Sequence, residues 1–150
     1  LIKSNRTLTA TAIKGKKAKT FKEGTILFVG IGATLGKVGV AAAEVSSNQQ
    51  ITGLYFGSAI IPDFAYYWFR FKYDYIRLLS SAVTLPIINQ DGLKNLVMEF
   101  PPLDEQRRIV TYLDRLQAKV EELCRLQRET QEKIEASTSA ILDKALQGKL

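Results

Sequence analysis

The residues able to do chemistry fall into a few groups. Gly30, Gly32 and Gly36 follow an apolar run and raise the question of a phosphate-binding loop. The dinucleotide fingerprint needs glycines at its first, third and sixth positions, and here the third glycine stands at the seventh. A P-loop ending in Gly36 and Lys37 would need glycine where Ile31 stands and Ser or Thr where Val38 stands. No helical pattern follows to cap a phosphate, so these glycines are expected in a strand turn with positive φ angles. Phe100, Pro101, Pro102 and Leu103 are close to the Asn/Asp-Pro-Pro-aromatic motif of amino-methyltransferases. Both outer residues are wrong, however: one cannot hold an amine and the other cannot stack on a base. Pro62-Asp63 could open a nuclease metal site, but no acid in the chain is followed two positions later by Lys. With no histidine and one cysteine, the usual general base, triad and structural zinc site are absent. Catalysis would have to run on Asp, Glu, Lys, Ser or Tyr.

A basic cluster remains: Lys14, Lys16, Lys17, Lys19 and Lys22, with Thr20 among them, able to meet phosphates through charge and hydrogen bonds. Asn48, Gln49, Gln50, Asn89 and Gln90 carry amides that can read adenine, but such residues cap turns equally well, and the structural role is the stronger expectation. The net charge of +6 is unevenly placed. Residues 1–103 hold 12 Lys and Arg against 6 Asp and Glu, whereas residues 104–150 hold 9 against 9. A domain of one sign reads as a polyanion binder, and a balanced, densely charged tail as a helix surface.

These groups need elements to hold them. Strands are expected over Ile26–Val29, Val38–Ala41, Ile51–Phe56 and Leu96–Phe100, with Leu1 to Lys22 as an extended edge or loop and Ser46, Ser47 and Asn48 as punctuation. Pro62 and Asp63 start a helix running to about Ser80. Its aromatic stripe of Phe64, Tyr67, Trp68, Phe71 and Tyr75, continued by Ile76 and Leu79, is expected to pack on the sheet. Asp104 is expected to cap a second helix of about 43 residues, since Pro and Gly are then absent until Gly148. Ile109, Leu113, Leu116, Val120 and Leu123 recur at heptad spacing, and Ile134 and Ile141 continue the register more weakly. At roughly 65 Å the stripe is too long for a small domain to cover and needs a partner helix.

The fold class is therefore α/β, in its α+β form: a small mixed-sheet head over residues 1–103, then one long coiled-coil-forming helix over 104–150. No apolar run approaches the roughly 18 residues of a membrane span, and a lone Cys124 inside a helical pattern fits a reducing cytoplasm.

Taken together, the runs Gly24–Phe28, Gly32–Val38, Ser47–Ile51, Leu85–Gln90, Leu93–Leu96 and, above all, Phe100-Pro-Pro-Leu-Asp-Glu-Gln-Arg-Arg-Ile109 resemble the specificity subunit of type I restriction–modification enzymes. The resemblance implies a target recognition domain joined to a conserved spacer helix, in a prokaryotic cytoplasmic complex that methylates DNA and defends the host. Family members usually carry two such units, each reading one half of a split site in double-stranded DNA, with their helices antiparallel. This chain holds one, so it is either a half-length subunit or half of a longer chain. The implied partners are methyltransferase and restriction subunits, and either a second specificity half or a second copy through the helix. S-adenosylmethionine, ATP and Mg are then expected on those partners and no cofactor on this chain. The competing reading is a coiled-coil interaction scaffold whose basic head is incidental.

Overall fold

A computed structural model describes residues 19–80 and 86–149. Five short strands come first: β1 (Lys19–Phe21), β2 (Ile26–Val29), β3 (Val38–Val40), β4 (Val45–Ser47) and β5 (Ile51–Leu54). They are followed by helices α1 (Pro62–Phe71), α2 (Tyr73–Leu78), α3 (Gln90–Lys94) and α4 (Leu103–Leu146). The apolar, β-branched run of β2 makes it the central strand of an antiparallel sheet ordered β3-β2-β5, pairing Ile26 with Val40 and Leu54. β1 and β4 form a separate antiparallel ribbon with Lys19 opposite Ser47 and Phe21 opposite Val45. The expected class, an α+β head and one long helix, is the observed one, with every described strand pairing antiparallel.

Two fully buried β2 side chains, Ile26 and Phe28, meet α1 and the turn residue Leu35. The Phe28 and Phe69 ring centroids are 5.7 Å apart, and Trp68 lies edge-on to Phe69. Burying each such side chain stabilises the head by about 1.5–3 kcal/mol.

Five sequence expectations are corrected. Ser46 and Ser47 belong to β4, a strand with Val45 as its single apolar residue, held because β1 offers its edge. The helix from Pro62 breaks at Lys72 (φ −86°, ψ 7°), giving α1 and α2. The buried face runs through Phe64, Ala65, Phe69 and Ile76, so Phe71, Tyr75 and Leu79 stand exposed. Leu96 to Phe100 is not a strand: Leu96 and Met98 pack on the core, but among the described residues no strand supplies a ladder. Asp104 lies inside the first turn of α4, bonded to Arg107, and the Pro102 carbonyl accepts the Gln106 N–H.

The chain divides into two compact units, to Val110 and from Thr111. Over its 44 residues α4 is about 66 Å long. It closes at Gly148 (φ 64°), where the Lys149 N–H reaches the Lys144 carbonyl and the Gly148 N–H that of Ala145, satisfying two terminal acceptors.

Candidate nucleic-acid interface

Of the basic cluster, Lys14, Lys16 and Lys17 lie outside the described residues. Lys19 and Thr20 are exposed on β1, whose position is set from both sides. The Ser46 hydroxyl donates to the Lys19 carbonyl at 2.8 Å, and Phe21 fills the space over Gly53, where a Cβ would stand 2.3 Å from its ring. Lys22 follows with its ammonium 3.5 Å from the centroid of the Tyr55 ring, a contact that holds a cation at the surface without cancelling its charge.

The glycine turn does not cradle a phosphate. The N–H groups of Gly30, Gly32, Leu35, Gly36 and Lys37 donate to the carbonyls of Gln50, Pro86, Gly32, Val29 and Thr34, so none of the five is left for an anion. Gly32 and Gly36 have the expected positive φ; Gly30 does not, and a Cβ there would stand 3.3 Å from the Ile88 carbonyl. Among the amides, the Asn48 oxygen accepts from the Gln50 N–H at 3.1 Å and the Asn89 oxygen caps α3 through Gly92 at 2.8 Å. With their oxygens engaged, neither presents the free donor and acceptor that reading adenine takes. Gln49, Gln50 and Gln90 are exposed.

A second basic surface escaped the sequence reading. Lys37, beside Gly36 and Val38, lines a groove of about 390 Å³ with Tyr66, Arg70 and Tyr73. Arg70 donates to the Tyr66 hydroxyl at 3.2 Å, and Arg77 to that of Tyr73 at 2.9 Å. The available signal was the spacing Tyr66, Arg70, Tyr73, Arg77, in steps of four, three and four, which places all four on one side of a helix. The aromatic stripe lies on the opposite flank.

The junction motif acts through Gln106, fully buried at the start of α4. Its amide nitrogen donates to the carbonyls of Ala59 (3.0 Å) and Pro101 (2.8 Å), and its oxygen accepts the Ile61 N–H at 2.9 Å. Ile61 is the N-cap of α1 and has no side chain able to cap, so Gln106 satisfies one of the free donors at that helix start. Ile109 and Val110 pack on the head core. Along the rest of the seam Leu113 is half-buried, while Leu116, Val120, Leu123, Ile134 and Ile141 are 41–60% exposed. Beyond Val110 no described residue is buried.

Among the described residues no three His, Cys, Asp or Glu side chains gather where a metal could bind, and no helix is long and apolar enough to cross a membrane.

Known proteins share this sequence pattern and this geometry. The family model for the type I restriction modification DNA specificity domain matches residues 2–136. The type I restriction enzyme MjaIX specificity subunit of Methanocaldococcus jannaschii is 28% identical over 113 residues, 74% of this chain and 26% of the relative. The putative MjaX specificity subunit of the same organism is 23% identical over 125 residues, 83% of this chain and 28% of the relative. Among solved structures, one describing complex assembly and conformational transition of the type I R-M system superposes with a TM-score of 0.77 at 31% identity, covering 88% of this chain and 33% of that one. The HsdS subunit from Thermoanaerobacter tengcongensis gives a TM-score of 0.66 at 30% identity, covering 88% and 32%. The chain thus spans between a quarter and a third of the length of these relatives.

Proposed function

We propose a function from one premise: this chain belongs to the type I restriction modification DNA specificity domain family. It is one target recognition domain, over residues 1–103, with one spacer helix from Asp104. The head reads one half of a bipartite site in duplex DNA. The helix pairs antiparallel with another spacer helix, from a second specificity half or a second copy of this chain, and so sets the distance between half-sites. The chain is non-catalytic and directs methyltransferase and restriction subunits to that site in a prokaryotic cytoplasm; S-adenosylmethionine, ATP and Mg belong to those partners.

The observation that carries this reading is that the family match runs from residue 2 to 136, through the head and most of the helix. Two physical features support it. The whole excess of positive charge lies before Asp104, where a polyanion would be met. The helix leaves a heptad seam of large apolar side chains in water, as a helix that meets a partner would.

The test compares the DNA methylation patterns of cells with and without the gene. Loss of methylation at one bipartite motif, and at no other, is the expected result. An unchanged pattern in cells where the chain is made and the methyltransferase is active refutes the assignment.

A further inference from the structure

We propose that the Tyr66–Arg70 and Tyr73–Arg77 pairs, with Lys37, form a second contact with duplex DNA that grips the phosphate backbone beside the glycine turn. This rests on the reading of the head as a duplex binder, but nothing in that reading assigns these residues. The three cations come from two parts of the chain, Lys37 from the turn before β3 and the arginines from α1 and α2. They are brought together because Gly36 has no side chain: a Cβ there would stand 3.1 Å from the Tyr73 ring and 3.6 Å from Cγ of Arg77. The helix break does not scatter them, since Lys72 donates to the Trp68 carbonyl and its own carbonyl accepts from Ile76, both at 2.9 Å.

Each arginine is oriented in the same way. Its guanidinium lies 5.5 Å from the ring centroid of the tyrosine four residues earlier and donates one N–H to that tyrosine's hydroxyl. The remaining donors of the planar fork stay available, and each hydroxyl, having accepted from arginine, keeps its own proton to donate. An anion meeting such a pair is offered a charge and two kinds of donor with little side-chain ordering left to do. Among the described residues neither arginine nor Lys37 forms an ion pair, and Asp74, the nearest acid in sequence to both arginines, bonds to neither. The Tyr–Arg pair thus recurs seven residues on, across the break at Lys72.

The test measures binding of the full chain to a mixed-sequence DNA duplex by fluorescence anisotropy, at salt from roughly 50 to 200 mM. R70Q/R77Q is expected to weaken binding by roughly tenfold and to flatten the log–log salt slope by about 1.8, or about 0.9 for each phosphate no longer neutralised. R70K/R77K keeps the charges, so its slope should hold while the loss of the fork weakens binding. K119Q/K133Q removes two charges from the balanced helix and should leave the slope as it was. Should R70Q/R77Q lower the melting temperature, the single variants R70Q and R77Q replace it, each expected to remove about 0.9 of slope. An unchanged slope in R70Q/R77Q, or an equal fall in K119Q/K133Q, overturns the phosphate grip and leaves the proposed function standing. Absence of salt-dependent binding by the unaltered chain overturns both.

Discussion

Replacing Gln106 would leave three backbone groups in a closed junction without partners, because its two amide atoms serve Ile61, Ala59 and Pro101 together. Each such group costs about 1–3 kcal/mol when buried and unpaired. Gln106→Leu, close in volume, is therefore expected to destabilise the head by about 3 kcal/mol or more, read as a fall in the urea midpoint. Gln106→Glu keeps the acceptor for Ile61 but turns a carboxylate on two carbonyls, and should be no better at neutral pH. A midpoint within experimental error of the unaltered chain in both variants would show that Gln106 does not hold the junction.

On the scale of elements, α4 combines a well-paired surface with an uncovered seam. Arg125 donates to Glu122 and to Glu129, and Arg108 to Glu105 at 2.7 Å. Hydrogen bonding to Arg125 holds the Glu122 carboxyl below its ordinary range. Its folded pKa is thus the lower one, so any contribution to helix stability is present at neutral pH and is lost as pH falls below the usual glutamate range. Both side chains are exposed to solvent, which keeps that contribution small. The seam matters more, since each Leu fully buried against a partner gains about 1.5–3 kcal/mol. Studied alone, the chain is expected to form a two-fold dimer with antiparallel helices, the polar half of each seam beside the apolar half of its partner. L116K/L123E should sediment as a monomer with the melting behaviour of the head retained. A monomer at high concentration for the unaltered chain would refute self-pairing, leaving a sister helix as the partner.

For the whole molecule, the separation of charge predicts where DNA is met. Replacing Lys14, Lys16, Lys17 and Lys19 with Ala, in the assembled complex, is expected to weaken duplex binding and to flatten its salt dependence by about 0.9 for each phosphate that one of these lysines neutralises. An unchanged slope removes this cluster from the footprint. Purified chain supplied with S-adenosylmethionine, magnesium and ATP should neither methylate nor cut DNA; activity that survives removal of all other subunits would make it an enzyme after all.

Periodicity alone determined much of this protein. The β2 strand, the glycine turn, the start of α1 at Pro62 and nearly the full length of α4 were legible, because each is set by neighbours within a few residues or by an unbroken heptad. The junction run from Phe100 to Ile109 likewise pointed to the family that the comparison found. Non-local contacts decided the rest. β4 exists because β1 offers it an edge, and among the described residues no partner makes Leu96–Phe100 a strand. The phase of the α1 face follows from which side meets Phe28, so Phe69 is buried and Phe71 is not. The same holds for the sites: Gln106 reads as one more polar helix residue until Ala59 and Ile61 close around it. Lys37 joins Arg70 and Arg77 only once the turn folds against the helices, because nothing in the chain's order tells a cation which distant surface it will share.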